Sequence, residues 1–229
     1  MTILALEFSS DRRSVALARG GIVLAEAMQQ TVARETDALG MIEKVLAQSK
    51  VLREEIEVIA VGLGPGSYTG IRAAIAVAQG WQLAFAEPEQ DICGQTAATA
   101  KRRLARGIKL LGMSSVAAIA AAAQAEKIFG RVNVVVDAQR GEFYAAGWEI
   151  SDGRREEISP LKIISAAELA ARRAGEICVG PAVERVLFPS AAMVARLAAG
   201  RTDFVRGEDL EPIYLRETSF VKSTSDRKR

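Results

Sequence analysis

Residues 61–80 read VGLGPGSYTGIRAAIAVAQG, an apolar run that enters a glycine-rich turn and leaves as a helix of small side chains. That arrangement suits phosphate binding, because the backbone can approach an anion and the free N–H groups at the helix start point at it. Spacing excludes two nucleotide motifs. A Walker loop needs G-x-x-x-x-G-K-[ST], and here Gly64 is followed at that distance by Thr69, then Gly70, Ile71 and Arg72, with no lysine. The pattern G-x-G-x-x-G fails as well, since its last position is Ser67 counted from Gly62 and Thr69 counted from Gly64. Two readings of Gly64, Pro65, Gly66, Ser67, Thr69 and Gly70 stand. They form an anion-holding turn, or a plain strand-to-helix turn with Ser67 as N-cap.

Histidine is absent, which removes imidazole acid–base chemistry, Ser-His-Asp and Cys-His pairs, and histidine metal sites together. Two distant cysteines, Cys93 and Cys178, do not make a zinc site alone and fit a reducing compartment better than a disulfide scaffold. No residue is assigned a catalytic role and no metal site is expected. Asp137 ends an apolar run and could hold Mg²⁺ through water, or simply cap a turn.

The 229 residues allow one large domain or two small ones. A net charge of +2 is too weak to imply nucleic acid or membrane by itself. No apolar run approaches the ~20 residues that span a bilayer. The start, MTILALEFSSDRRS, lacks a basic n-region and a small-residue cleavage site, so a cytoplasmic protein is expected, with no membrane partner.

The elements that position the glycine turn follow from pattern. TILALEF (2–8), SVALA (14–18) and IVLAEAM (22–28) read as three strands, with Gly20-Gly21 as a tight turn between the last two. A helix follows over 34–49, with Leu39, Ile42 and Leu46 on one face and Val45 beside them. EVIAVGL (57–63) is a fourth strand, and 67–86 a second helix. The second half runs the same way: VNVVVDA (132–138), EFYAAGWEI (142–150), REEISPLKII (155–164), a helix over 165–174 with a capping box, EICVGP (176–181), and a helix over 188–200. The chain thus reads as two βββαβα units, divided at 1–113 and 114–229. An alanine-rich helix (114–129) joins them. The segment 87–112 has five basic residues and no clear register, and 222–229 reads as a frayed tail.

The second helix is apolar on two faces. Ile71, Ala74, Ile75 and Ala78 line one; Ala73, Val77, Trp81 and Ala84 line the other. One face can cover the sheet, and the other needs a neighbouring helix. The first helix carries a second stripe, Asp37, Met41, Lys44 and Gln48, less polar than a fully solvated face. Another subunit or an intramolecular helix would satisfy both.

GPGSYTGIR (64–72), with ILALEFSSDRRSVAL, VVDAQRGEFYAA and EPIYLR (211–216), resembles the TsaB family over nearly the whole chain. The 87–112 segment is longer than the family norm, and Ala33-Arg34-Glu35-Thr36 lacks the histidine that members often carry there. The resemblance implies the actin-like, sugar-kinase-like (ASKHA) α/β fold of two duplicated βββαβα halves. It implies a non-catalytic subunit that binds and activates a TsaD-like threonylcarbamoyltransferase, for N6-threonylcarbamoyladenosine (t6A) at adenosine 37 of tRNAs reading codons that begin with adenine.

Active members of that superfamily hold phosphates on two hairpins, here 7–13 and 137–141. Glu7 and a glycine-free turn carrying two arginines replace the usual cradle, which fits a pseudo-ATPase; an active small-molecule phosphotransferase is the alternative. The partner surface implied comprises Asp37, Met41, Lys44, Gln48, Tyr68, Ile71, Arg72, Ala74, Ile75, Ala78 and Gln82. Tyr68 and Arg72 are candidates for polar contacts at its junction; Tyr68 equally reads as an aromatic at the core edge. A TsaE-like ATPase and tRNA are further partners, and a homodimer is expected when the chain is alone. No cofactor is expected on this chain alone, with ATP or ADP possible at the subunit junction. Lys101, Arg102, Arg103, Arg106 and the 227–229 tail either touch tRNA phosphates or form solvated faces.

Overall fold

The computed structural model describes residues 1–30, 36–85 and 107–215. The first sheet has the order β3-β2-β1-β4-β5, from β1 (Thr2–Glu7), β2 (Arg12–Arg19), β3 (Ile22–Gln30), β4 (Val58–Gly62) and β5 (Lys109–Met113). The second has the order β8-β7-β6-β9, from β6 (Gly130–Asp137), β7 (Glu142–Ile150), β8 (Arg155–Ser165) and β9 (Ile177–Val179). In both, the first three strands form an antiparallel meander and the fourth runs parallel to the first. Same element order and same pairing directions make the halves a duplication.

The strand β5 adds a fifth member to the first sheet, parallel to β4. Sequence pattern left these residues mostly inside the 87–112 segment. A run as short as KLLGM beside basic residues has too little period to declare itself. The rest of that segment through residue 106, with the basic cluster 101–106, lies outside the described residues, as do 33–35 and the tail.

Residues in β1 are apolar without alternation because both faces of the strand are covered. Leu4 and Leu6 face α1 (Ala38–Ser49) and α2 (Tyr68–Ala84), in one core with Val15, Leu17, Ile59 and Val61. Ile3 and Ala5, with Ala16, Ala18 and Ala60, face α5 (Ala191–Ala198). This second face is built from alanine against alanine, which lets helix and sheet approach closely. By sequence α5 belongs to the 114–229 half, yet it packs on the first sheet, and its Ala191 N–H donates to Ser14 Oγ at 2.8 Å.

Between the sheets runs α3 (Ser115–Ala125). Val116, Ile119, Ala120 and Ala123 pack on the second sheet, while Ala118 joins the α5 core. A helix apolar nearly all round is buried nearly all round. The remaining α-helix of the described residues, α4 (Ala166–Arg173), has the expected capping box: Ser165 Oγ accepts from the Glu168 N–H at 3.2 Å and Glu168 Oε2 accepts from the Ser165 N–H at 2.9 Å.

Candidate functional site

The glycine turn joins β4 to α2 against the β1–β2 hairpin. A Cβ on Gly66 would stand 2.1 Å from Ser9 O, and one on Gly70 would stand 2.0 Å from Phe8 O. The Ser67 N–H donates to Ser9 O at 2.7 Å, so backbone touches backbone where any side chain would intrude. Gly64 adopts φ +88°, a conformation glycine takes at little cost. Ser67 caps α2, its Oγ accepting from the Gly70 N–H at 3.3 Å. Pro65 is buried, whereas Thr69 is exposed beside the helix start.

Both hairpin acids are committed elsewhere. Glu7 is fully buried; its carboxylate accepts from the Ser9 N–H at 2.8 Å and from Ser115 Oγ at 2.8 Å, and Ser115 Oγ accepts from the Gly64 N–H at 3.0 Å. Glu7 therefore ties the end of β1 to the glycine turn and to the start of α3. Asp137 is exposed and folds onto its own hairpin, accepting from the Gln139 N–H at 2.7 Å and from Gln139 Nε2 at 3.0 Å. That is the turn-capping geometry. Among the described residues no cluster of three or more His, Cys, Asp or Glu is placed to hold a metal ion.

Burial pushes the Glu7 carboxyl above its usual 4.5, against the downward pull of the Ser9 and Ser115 hydrogen bonds. The folded chain thus keeps a proton that the unfolded chain has released. This stability contribution is fully present below pH 4.5 and is lost as pH rises through the elevated folded value. Glu7→Gln keeps an acceptor for Ser9 and removes the titration. Its stability relative to the parent is expected to rise between pH 5 and 8 in urea titrations. An unchanged difference across that range would contradict the assignment.

Helix α1 buries Ala38, Met41, Ile42, Val45 and Leu46, which form one arc at i, i+3, i+4, i+7 and i+8. Two expectations are corrected. Met41 belongs to this arc and lies in the core rather than on a partner surface; Leu39 falls off it and is 64 % exposed. Asp37, Lys44 and Gln48 are exposed, with Asp37 Oδ1 accepting from the Gly40 N–H at 3.0 Å as N-cap.

The same correction applies to α2. Ile71, Ala74, Ile75 and Ala78 are the face that covers the sheet, all in the core under β1 and β4. They are unavailable to a partner. Gln82 is also engaged internally: its Nε2 donates to Ile108 O at 3.3 Å and its Oε1 accepts from the Gly207 N–H at 3.1 Å. What α2 presents outward is Arg72, Ala76, Gly80, Leu83 and Ala84, with Leu83 77 % exposed. Trp81 and Phe85 lie tilted together, ring centroids 5.8 Å apart, at the edge of a cavity of about 370 Å³ between the two helices. Leu39, Ile42, Glu43 and Arg53 close its other side.

Tyr68 and Arg72 are brought together, and with them a residue the sequence reading did not single out. The Arg72 guanidinium stands 4.1 Å over the Tyr68 ring, its Nε donates to Tyr214 Oη at 3.3 Å, and Tyr68 stacks on Tyr214 at 5.6 Å. The signal for Tyr214 was its place in EPIYLR, far from the glycine turn in sequence. Tyr68 and Tyr214 are 54 % and 43 % exposed, so the cluster is an aromatic and cationic surface at the head of α2.

Residues 2–104 match the family model of TsaD, a tRNA N6-adenosine threonylcarbamoyltransferase. The Escherichia coli tRNA threonylcarbamoyladenosine biosynthesis protein TsaB is 29 % identical over 149 residues, 65 % of this chain and 55 % of that protein. The Bacillus subtilis protein of the same name is 25 % identical over 171 residues, 73 % of this chain and 64 % of that one. The solved structure of YeaZ from Pseudomonas aeruginosa superposes with a TM-score of 0.71 at 26 % identity, covering 93 % of this chain and 99 % of that one. The chain is similar in sequence to proteins named TsaB and in fold to YeaZ. Its paired βββαβα halves have the fold of that YeaZ structure. In sequence the match spans about half to two-thirds of the length of these two TsaB relatives. No helix of the described residues is long and apolar enough to cross a membrane.

Proposed function

We propose that this chain is the non-catalytic subunit that binds a TsaD-like threonylcarbamoyltransferase and holds it in the active state for t6A formation on tRNA, in the cytoplasm. The observation that carries the reading is the correspondence with YeaZ along nearly the entire length of both chains, alongside relatives named for threonylcarbamoyladenosine biosynthesis.

The outward surface of α1 and α2 suits the partner role. Leu39 and Leu83 are large apolar side chains left in water, and the cavity beside Trp81 and Phe85 can accept an inserted apolar residue. Lys44, Gln48 and the Tyr68–Arg72–Tyr214 cluster supply polar contacts at its borders. In the absence of the transferase the same surface pairs two copies of the chain. A TsaE-like ATPase joins the assembly, tRNA is met through the complex, and ATP or ADP is bound at the subunit junction rather than by this chain alone. Glu7, enclosed by Ser9 and Ser115, offers no free carboxylate for phosphotransfer.

Size-exclusion chromatography tests the pairing. The chain and the TsaD-like protein of the same organism are expected to co-elute as one complex, with the homodimer peak depleted. Separate elution at micromolar concentration would contradict the reading.

A further inference from the structure

A cavity of about 400 Å³ opens on the second sheet at the C-terminal end of α4. Asn133 of β6, Gly147 of β7 and Ser159 of β8 line it as neighbours in one row of the sheet. The register shifts on both sides of Gly147, and a Cβ there would stand 3.0 Å from Ser159 Cβ. Glycine thus keeps the row low where an irregular strand re-aims its neighbours. Ile158, 48 % exposed, supplies an apolar wall.

Asn133 is out of character for its strand. The interior of the sister strand β1, Ile3 to Leu6, is apolar, whereas β6 carries an amide among valines, only 4 % exposed. A buried amide needs a partner at each end. Both partners here are charged: Arg172 Nη1 donates to Asn133 Oδ1 at 2.6 Å, and Asn133 Nδ2 donates to Glu176 Oε2 at 2.7 Å.

Arg172 lies in the last turn of α4 and Glu176 just beyond it. Among the described residues neither is ion-paired; the Asn133 amide stands between the two charges and takes one atom of each. The rest of the Arg172 fork and Glu176 Oε1 have no side-chain or backbone partner among the described residues. Arg131 also lines the cavity, but it is ion-paired with Glu149 at 3.9 Å. One guanidinium and one carboxylate, held apart at the same wall, are therefore left for a ligand. A fork takes a carboxylate and a carboxylate takes an ammonium, so the pair is complementary to a molecule that carries both charges close together.

We infer that this cavity binds a free α-amino acid as its zwitterion, with the carboxylate on Arg172, the ammonium on Glu176 and an apolar side chain against Ile158. Asn133 is a positioning residue that sets the separation of the two charges. A peptide end carries only one of the charges on its terminal residue and satisfies only one of the two groups. The site lies on the second sheet, remote from the groove between α1 and α2, so it stands or falls independently of the TsaD-like partner.

The test is isothermal titration of the full chain, without any partner, with L-leucine as the probe. Saturable binding is expected. N-acetyl-L-leucine, which keeps the carboxylate and blocks the ammonium, is expected to bind at least about tenfold more weakly, the worth of one charge-assisted contact. L-leucinamide, which keeps the ammonium and blocks the carboxylate, should lose about as much. Glu176→Gln keeps an acceptor for Asn133 and removes the charge, and it is expected to weaken L-leucine at least about tenfold while leaving L-leucinamide and N-acetyl-L-leucine closer to L-leucine in affinity. Glu176 is exposed, so this variant is expected to fold even if Arg172→Gln, at a half-buried position, does not. Glu54→Gln, exposed on the first lobe, should bind L-leucine as the parent does. No saturable heat with L-leucine up to about 10 mM, either blocked form binding the parent as tightly as L-leucine, or parent-like affinity in Glu176→Gln would each overturn the inference.

Discussion

Leu83→Asp is expected to abolish assembly with the TsaD-like subunit while leaving the isolated chain folded. Leu83 is 77 % exposed on the outer face of α2, so a carboxylate there stays in water in the free chain. The change should cost the fold no more than about 0.5–1 kcal/mol, the range of a surface substitution with slightly poorer helix propensity. In a complex that covers this face the carboxylate would be buried without a partner, a loss of about 3 kcal/mol or more. That is roughly a hundredfold or greater weakening of affinity. Isothermal titration against the TsaD-like protein reads the affinity, and a urea titration of the chain alone reads the fold. Parent-like affinity in Leu83→Asp would remove the outer face of α2 from the interface.

Ile71→Asp should fail earlier, at folding. Ile71 is fully buried in the core beneath β1 and β4, and its Cδ1 lies 2.5 Å from where a Cβ on Gly64 would stand. The substitution removes a buried aliphatic group and places a carboxylate where no donor awaits it. The expected loss exceeds about 4 kcal/mol, much of the ~5–15 kcal/mol that holds a domain together. A thermal melt by circular dichroism should show no cooperative transition, whereas Ile71→Val should retain one at a cost of about 0.5–1.5 kcal/mol. Had Ile71 belonged to the partner surface, Ile71→Asp would melt like the parent and lose assembly alone. The pair Leu83→Asp and Ile71→Asp therefore separates the two faces of one helix.

Those faces mark the limit of what sequence could decide. The order of strands and helices was legible because apolar runs bounded by turn residues recur in the same succession in both halves. The strand β5 was not, since Lys109–Met113 carries too few residues for a period. Helix α2 was recognised as needing two covers, but alanines on both sides leave its rotation undetermined. The sheet chose Ile71, Ala74, Ile75 and Ala78. In α1 the placement of Leu39 inward and Met41 outward was an error of one step in helical phase. The observed arc is set by Ala38, a residue too small to weigh in a hydrophobic pattern.

Long-range placement was the other gap. The apolar stripe of α5 says that the helix packs, but its destination on the first sheet depends on Ala5, Ala16, Ala18 and Ala60 lying flat enough to receive it. Arg13 read as one of two arginines in a glycine-free hairpin turn. Its burial arises from the way the hairpin is covered in three dimensions, which no local pattern records. Tyr214 lies 142 residues from Arg72 in sequence, and only the fold brings the hydroxyl to the guanidinium.

The most direct test of the partner role is reconstitution. tRNA, ATP, threonine and bicarbonate are combined with the adenylate-forming enzyme and the TsaD-like and TsaE-like proteins of the same organism. Modified adenosine is scored by mass spectrometry with and without this chain. The account predicts t6A when the chain is present, and little or none when it is omitted or replaced by Leu83→Asp. Equal t6A in both tubes would contradict it.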